Sequence, residues 1–268
     1  MNTRRSRVRS VALSVGGSDS SGGAGVQADA KVFSMAGLHA ATALTCITAQ
    51  RPGRVSGVHP VPPELVESQI EAAAASGVSV VKTGMLFSKP IIAAVERALH
   101  RLGAPVVVDP VMVAAGGDPL LRPDALAAMR ARIVPLAAIV TPNLHEATLL
   151  LERPIGPDDD LADVARDLAV RYGRAFLLKG GHRPGRRIEN VFHDGRRARR
   201  FVSRRVAGVF DHGAGCLLAA AVGAALALGA APAEAAAVGV RAAEAAFAGA
   251  RRVGRLRLPD LLAAWPPP

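Results

Sequence analysis

Short apolar, β-branched runs alternate with longer Ala-rich stretches along most of the chain. A strand covered on both faces reads as a near-continuous apolar run of a few residues, whereas a helix needs a longer, periodic one. Residues 8–15 read as a strand, most strongly over 11–15, and 40–48, 78–82, 105–109, 138–141 and 175–179 repeat the pattern. Residues 24–35, 63–75, 90–102, 123–133, 144–152 and 161–172 predict helices between them. Val191-Phe192-His193-Asp194-Gly195 predicts a hairpin turn, with 199–203 as the return strand. Residues 213–228 and 233–250 make the last third mostly helical. This βαβα rhythm predicts an α/β protein of three layers, α/β/α, around a mostly parallel sheet. No linker or repeat interrupts it, so a single domain over 11–268 follows a basic arm over 1–10.

Ligands of such sheets bind beyond the carboxyl ends of the strands. Most of the unusual polar residues fall there. GGSDSSGGAG at 16–25 follows the first strand, and its five glycines let the backbone turn tightly and approach a ligand. The helix after it starts in this loop, where free N–H groups suit polar or anionic groups. The loop lacks Gly-Lys-Ser/Thr and is not GxGxxG; a plain strand-to-helix turn is the alternative. Asp29, early in that helix, is either a solvated first-turn carboxylate or an acceptor facing the cleft.

KTGM at 82–85 follows another strand, with Met85 as core or as ligand wall. In DPVM at 109–112, Asp109 ends an apolar strand, where a carboxylate is costly to bury unless it binds something such as a hydrated metal. In TPNLHE at 141–146, Asn143 and Glu146 share a face at a helix start. That spacing suits a capping box, and equally two hard oxygen ligands around Mg²⁺ and its waters. DHGAGC at 211–216 opens the long apolar helix. Its Gly-Ala-Gly exposes successive N–H groups at a positive helix end, an anion hole suited to a phosphoryl group in transfer. Cys216 lies just inside, where a thiol pKa can be lowered and a base could take a hydroxyl proton; a small buried cysteine is the plainer alternative.

Composition narrows the field. The chain has 268 residues, 50% hydrophobic but only 3% aromatic, so aliphatic side chains and Ala fill the core. The net charge of +11 is Arg-rich and spread over predicted helix faces and loops, densest at 4–9, 183–187 and 196–205. With no concentrated patch and few rings for bases to stack on, nucleic acid is not the expected partner. Two cysteines, Cys46 and Cys216, fit a reducing compartment and no disulfide framework. The apolar stretch 217–231 is Ala- and Gly-rich and Pro232 follows it, so a buried helix is expected and not a membrane span. No secretory signal pattern follows the basic start, and a cytoplasmic location is expected.

Taken in order, GGSDSSGGAGVQAD, TAQ, KTGM, DPVM, TPNxxEA, LKGGH and HGAGC resemble the hydroxymethylpyrimidine/phosphomethylpyrimidine kinase family of the ribokinase superfamily. The resemblance covers residues 11–229. It implies a ribokinase-like fold and ATP- and Mg²⁺-dependent phosphorylation of 4-amino-5-hydroxymethyl-2-methylpyrimidine and then of its monophosphate, in thiamin biosynthesis. It implies that Gly17, Asp29, Gln50 and Met85 line the pyrimidine site, with Asp29 and Gln50 on the aminopyrimidine edge. Asn143, with Lys179 and Gly181, would serve ATP; Asp109 and Glu146 would organise Mg²⁺. Gly213, Ala214 and Gly215 would form the anion hole, and Cys216 would be the catalytic base. A homodimer is usual in the family. Pyridoxal or pyridoxine kinase is the nearest rival, and a non-catalytic pyrimidine-binding regulator the rival of another class.

Departures cluster on the nucleotide side. Ala115-Gly116 stands where the family has Lys-Ser, Phe210-Asp211 where it has Asn-Thr, and Ala214 where Thr is usual. Arg251-Arg252-Val253-Gly254-Arg255 replaces a Gly-Lys-Gly-rich tail.

Overall fold

The computed structural model describes residues 10–114 and 116–265. Strands β1 Val11–Asp19, β2 His39–Arg51, β3 Arg54–Pro60, β4 Val78–Thr83, β5 Val106–Val108, β6 Ala137–Val140, β7 Ala175–Lys179, β8 Arg187–His193 and β9 Ala198–Arg204 form one sheet. Its order is β3-β2-β1-β4-β5-β6-β7-β8-β9. From β2 to β7 all neighbours pair in parallel, and β3, β8 and β9 add antiparallel pairings at the two edges. The chain leaves β1 first toward β2 and later returns to its other side at β4, which makes the carboxyl end of β1 and β4 a topological switch point.

The sheet separates two helical layers because its side chains alternate. On β5, Val106 and Val108 pack into the core under α2 (Pro63–Ala74), α3 (Lys89–Leu102), α5 (Leu144–Leu151) and α6 (Leu161–Tyr172). Val107 points the other way, against α7 (Ala214–Ala227) and α8 (Pro232–Ala248). On β1, Leu13 and Val15 join the first core, and Ala12 meets Val32 and Phe33 of α1 (Gly25–Met35) in the second. Helices α7 and α8 approach closely: a Cβ on Gly239 would lie 2.5 Å from Val222 Cγ2.

The three-layer α/β/α expectation is met, and so is the hairpin after residue 193. Four local expectations are corrected. The first strand runs on through the glycines to Asp19, with a register shift between Gly16 and Gly17, and its expected start at 8–9 lies outside the described residues. The helix expected over 123–133 is a run of short turns: 3₁₀ Pro123–Ala125, α4 Leu126–Ala128, π Met129–Ile133 and 3₁₀ Val134–Leu136. Its apolar spacing buries Ala125, Ala128, Met129 and Ile133, and Pro135, which has no N–H to continue the preceding turns, sits in the closing 3₁₀ turn. Strand β3 was absent from the expectation because it is exposed, polar and an edge. The tail carries a small hairpin, β10 Arg251–Val253 with β11 Leu256–Leu258, beyond the last helix.

Candidate active site

At the carboxyl ends of the parallel strands lies a cleft of about 1500 Å³. Gly17, Asp29, Gln50, Met85, Asp109, Asn143, Glu146, Lys179, Gly181 and Gly213 to Cys216 all line it: the β1–α1 loop, the ends of β2, β4, β5, β6 and β7, and the N-terminus of α7 converge there.

On one side the walls are Gly17, Asp29, Gln50 and Met85. A Cβ on Gly17 would sit 3.0 Å from Met85 Sδ, so the two residues pack tightly. Met85 is buried with Cys46 and Leu120, so it is core and cleft wall at once. Asp29 is 1% exposed and takes Lys82 Nζ at 3.0 and 2.9 Å on its two oxygens, and Ser14 Oγ–H at 2.6 Å. Burial disfavours charge on Lys82, but the carboxylates of Asp29 and Asp109 reverse this and hold its pKa above the ordinary value. Gln50 reaches the cleft from the end of β2, and its carboxamide oxygen accepts from Thr48 Oγ1 at 3.2 Å.

The other side is built on β5, β6, β7 and α7. Asp109, just past β5, is 1% exposed and accepts from Lys179 Nζ at 2.8 Å and Thr141 Oγ1 at 3.2 Å. Asn143 and Glu146 form a reciprocal capping box at the start of α5: Asn143 Oδ1 accepts from the Glu146 N–H at 2.9 Å, and Glu146 Oε2 from the Asn143 N–H at 2.8 Å. The cap fixes both side chains where β6 delivers them. Burial pushes the Glu146 carboxyl up to about 7; the Lys179 ammonium opposes this and the Asp109 carboxylate adds to it. Lys179 also touches the α7 end, because a Cβ on Gly215 would stand 3.1 Å from its Nζ and 3.8 Å from Asp109 Oδ2.

Helix α7 is preceded by Gly213 with φ 80° and no side-chain cap; the Ala214 N–H is taken by Asp211 O at 3.1 Å, and the helix end lines the cleft from Gly213 to Cys216. Cys216 corrects one expectation. Cys216 is half-buried, and desolvation of its thiol by the surrounding packing pushes it up to about 11; the Lys82 ammonium and the Gly25 N–H offset only part of that. Desolvation wins over the positive helix end.

Several residues of the departures also sit here. The Asp211 side chain is exposed at the cleft, and its carbonyl accepts the Ala214 N–H at 3.1 Å. The Phe210 N–H donates to Arg257 O at 2.8 Å, so the tail hairpin is tied to the loop before α7. Ala115 lies outside the described residues, and a Cβ on Gly116 would meet Gly53 O at 2.4 Å. Three polar residues of the site had no assigned role: Lys82, Asp19 and His212. Each stands inside a motif, and a lysine within an apolar strand signals a buried partner. Among the described residues no group of three or more His, Cys, Asp or Glu could hold a metal, and no helix is long and apolar enough to cross a membrane.

A family model for phosphomethylpyrimidine kinase matches residues 19–259. The chain belongs to that family. It is a kinase with a ribokinase-like fold. It is 46% identical over 220 residues to the hydroxymethylpyrimidine/phosphomethylpyrimidine kinase of Rhizobium meliloti (strain 1021), covering 81% of this chain and 82% of the relative. Among solved structures, the kinase is similar to the pyridoxal kinase from Staphylococcus aureus in complex with AMP-PCP and pyridoxal, with TM-score 0.86 and 29% identity over 96% of each chain. It is also similar to the phosphomethylpyrimidine kinase from Clostridium difficile 630, with TM-score 0.75, 33% identity and coverage of 86% of this chain and 96% of that one.

Proposed function

We propose that the kinase transfers the γ-phosphoryl group of ATP to the hydroxymethyl oxygen of 4-amino-5-hydroxymethyl-2-methylpyrimidine, and then phosphorylates the monophosphate. The observation that carries this is one cleft joining a small-molecule wall (Gly17, Asp29, Gln50, Met85) to a helix end built for anions (Gly213, Ala214, Gly215). In the first step the hydroxymethyl oxygen bonds to the γ-phosphorus, the bond from that phosphorus to the ADP oxygen breaks, and the hydroxyl gives up its proton; in the second, a phosphate oxygen of the monophosphate bonds to the γ-phosphorus of another ATP and ADP leaves in the same way.

Asp29 accepts a hydrogen bond from the exocyclic amine, for which a carboxylate held by Lys82 and Ser14 keeps acceptor capacity. Gln50 completes the polar edge. Lys179, Gly181 and Asn143 meet the nucleotide, and the α7 N–H groups stabilise charge on the transferring group. Cys216 takes the hydroxyl proton. The protein does little covalent chemistry and much positioning.

Asp109 and Glu146 suit a cation that keeps water and phosphate ligands, as Mg²⁺ does. Both are buried carboxylates facing the same part of the cleft, with the Lys179 ammonium 2.8 Å from Asp109, and their oxygens are of the hard type such a cation takes. Asp109 and Glu146 would hold the ion, which would supply positive charge against the phosphates of the nucleotide. The same proposal includes one kinase domain over 11–268, forming a homodimer in the cytoplasm.

The test is ADP release with Mg·ATP and the pyrimidine, followed by mass detection of monophosphate and pyrophosphate. Pyrimidine binding without either product would refute the proposed catalysis. A second reading, phosphorylation of pyridoxal, is favoured by the likeness to the Staphylococcus aureus enzyme. Competition between the pyrimidine and pyridoxal, read as relative kcat/KM, decides between them.

A further inference from the structure

Two glycine-rich loops meet at the edge of the cleft, and the side chains that join them have no part in the reaction above. Asp19 ends β1, and His212 stands two residues before α7. Their side chains are 2% and 3% exposed, and His212 Nε2 lies 2.8 Å from Asp19 Oδ2. Asp19 accepts further from the Ser21 N–H at 2.9 Å, from Ser21 Oγ–H at 2.9 Å and from the Ala24 N–H at 2.8 Å. Ser21 Oγ is also 3.1 Å from His212 Nε2. Serine and carboxylate share one imidazole nitrogen, so this is not a Ser–His–Asp relay, which needs opposite nitrogens.

The backbones interlock around the pair. A Cβ on Gly213 would stand 1.8 Å from Gly23 O, and one on Gly23 would stand 2.7 Å from His212 Cδ2. One on Gly25 would stand 2.4 Å from Gly17 O. Gly23 and Gly25 belong to the loop that carries the small-molecule wall, and Gly213 to the loop that opens the anion hole. The contacts leave no slack between them, and a buried polar pair crosses the seam. Asp19 keeps the Ser21 and Ala24 donors within its own loop, so the His212 bond is what ties that loop to the one before α7.

We infer that Asp19 and His212 are a positioning pair that sets the anion hole of α7 in register with the pyrimidine loop. This rests on the proposed phosphoryl transfer, in which the acceptor oxygen is held by one loop and the phosphoryl group by the other. In-line attack demands that the reacting atoms stay close and aligned, and a misplacement of about 1 Å costs on the order of 10²-fold in rate. Neither side chain touches the reacting atoms. Each acts through the loop it holds.

The experiment compares His212→Ala, His212→Gln and His212→Asn with wild type. A Gln carboxamide nitrogen reaches the Nε2 position, whereas that of Asn falls near Nδ1. Three readouts are taken: kcat and KM for pyrimidine and ATP separately, pyrimidine affinity by calorimetry, and hydrogen exchange of both loops in the ligand-free protein. Positioning predicts that His212→Ala and His212→Asn lose roughly 10²-fold in kcat, with pyrimidine affinity within a few-fold of wild type. It predicts faster exchange in both loops and recovery of rate and protection in His212→Gln. Unchanged kcat in the Ala variant, or equal behaviour of Gln and Asn, overturns the inference. If Ala does not fold, the Gln–Asn comparison carries the test. Absence of turnover in wild type would refute the kinase proposal alone. Exchange then decides the pair: faster exchange of both loops in Asn but not Gln supports it, and unchanged exchange overturns it.

Discussion

The Lys82 ammonium lies 3.0 and 2.9 Å from the two oxygens of Asp29, and each side chain is only 1% exposed. The pair joins β4 to α1 at the cleft wall. Removing one partner leaves a buried charge without compensation. Lys82→Met should therefore destabilise by about 3–5 kcal/mol. Lys82→Met with Asp29→Asn should recover part of that loss, because the charge goes too. Urea unfolding of the two variants checks it; a double variant no more stable than the single one would show that Asp29 is compensated elsewhere.

Asp19 gives a pH dependence with a definite sign. Burial acts to raise its carboxyl, but the hydrogen bonds from His212, Ser21 and Ala24 outweigh burial and lower it from 3.8 to about 2. A depressed carboxyl stabilises the fold above its unfolded pKa, and that stability is lost as pH falls through the folded value. The window therefore runs from 3.8 down to about 2. Asp19→Asn should destabilise at neutral pH by on the order of 2 kcal/mol. Its melting temperature should also fall less steeply than that of wild type across the window. Parallel melting curves against pH would place the stabilising carboxylate elsewhere.

Gly213 is fixed by geometry. Its φ of 80° disfavours a side chain, and a Cβ would collide with Gly23 O at 1.8 Å. Gly213→Ala should destabilise by more than about 2 kcal/mol and abolish turnover. Gly181, also in the cleft, has nothing within 4 Å of a built Cβ and carries no such strain. Gly181→Ala should keep the stability of wild type, so thermal melts of the two variants separate strained from open glycines.

What could be read in advance follows from how local each signal is. The strands and helices of the sheet came from apolar periodicity, because burial on both faces of β5 or β6 leaves little choice of residue. Asp109, Asn143, Glu146, Lys179 and the α7 end come together in one cleft, since each is set by the end of its own strand or helix. The partners were not legible. Lys82 meets Asp29 from a residue 53 positions away, and Asp19 meets His212 across 193. Such pairings depend on which strands become neighbours, which periodicity does not encode. The same holds for the Cys216 thiol: its position at a helix N-terminus was visible, but the desolvation that outweighs the helix end comes from tertiary packing.

Cys216 supplies the sharpest test of the chemistry. With its thiol pushed up to about 11 by burial, the thiolate is on the order of one in ten thousand at pH 7. Alkylation of Cys216 by iodoacetamide, followed by peptide mass, should be slow at neutral pH and accelerate steadily toward pH 11. If the thiolate takes the substrate proton, kcat/KM should rise with pH in the same way, about tenfold per unit, well past neutrality. Cys216→Ala should lose turnover sharply at every pH and keep pyrimidine binding by calorimetry. A flat rate profile together with an inactive Ala variant would leave Cys216 essential as a hydrogen-bonding thiol and remove it as the base. Wild-type kcat in the Ala variant would remove both roles and shift proton transfer to the phosphate oxygens themselves.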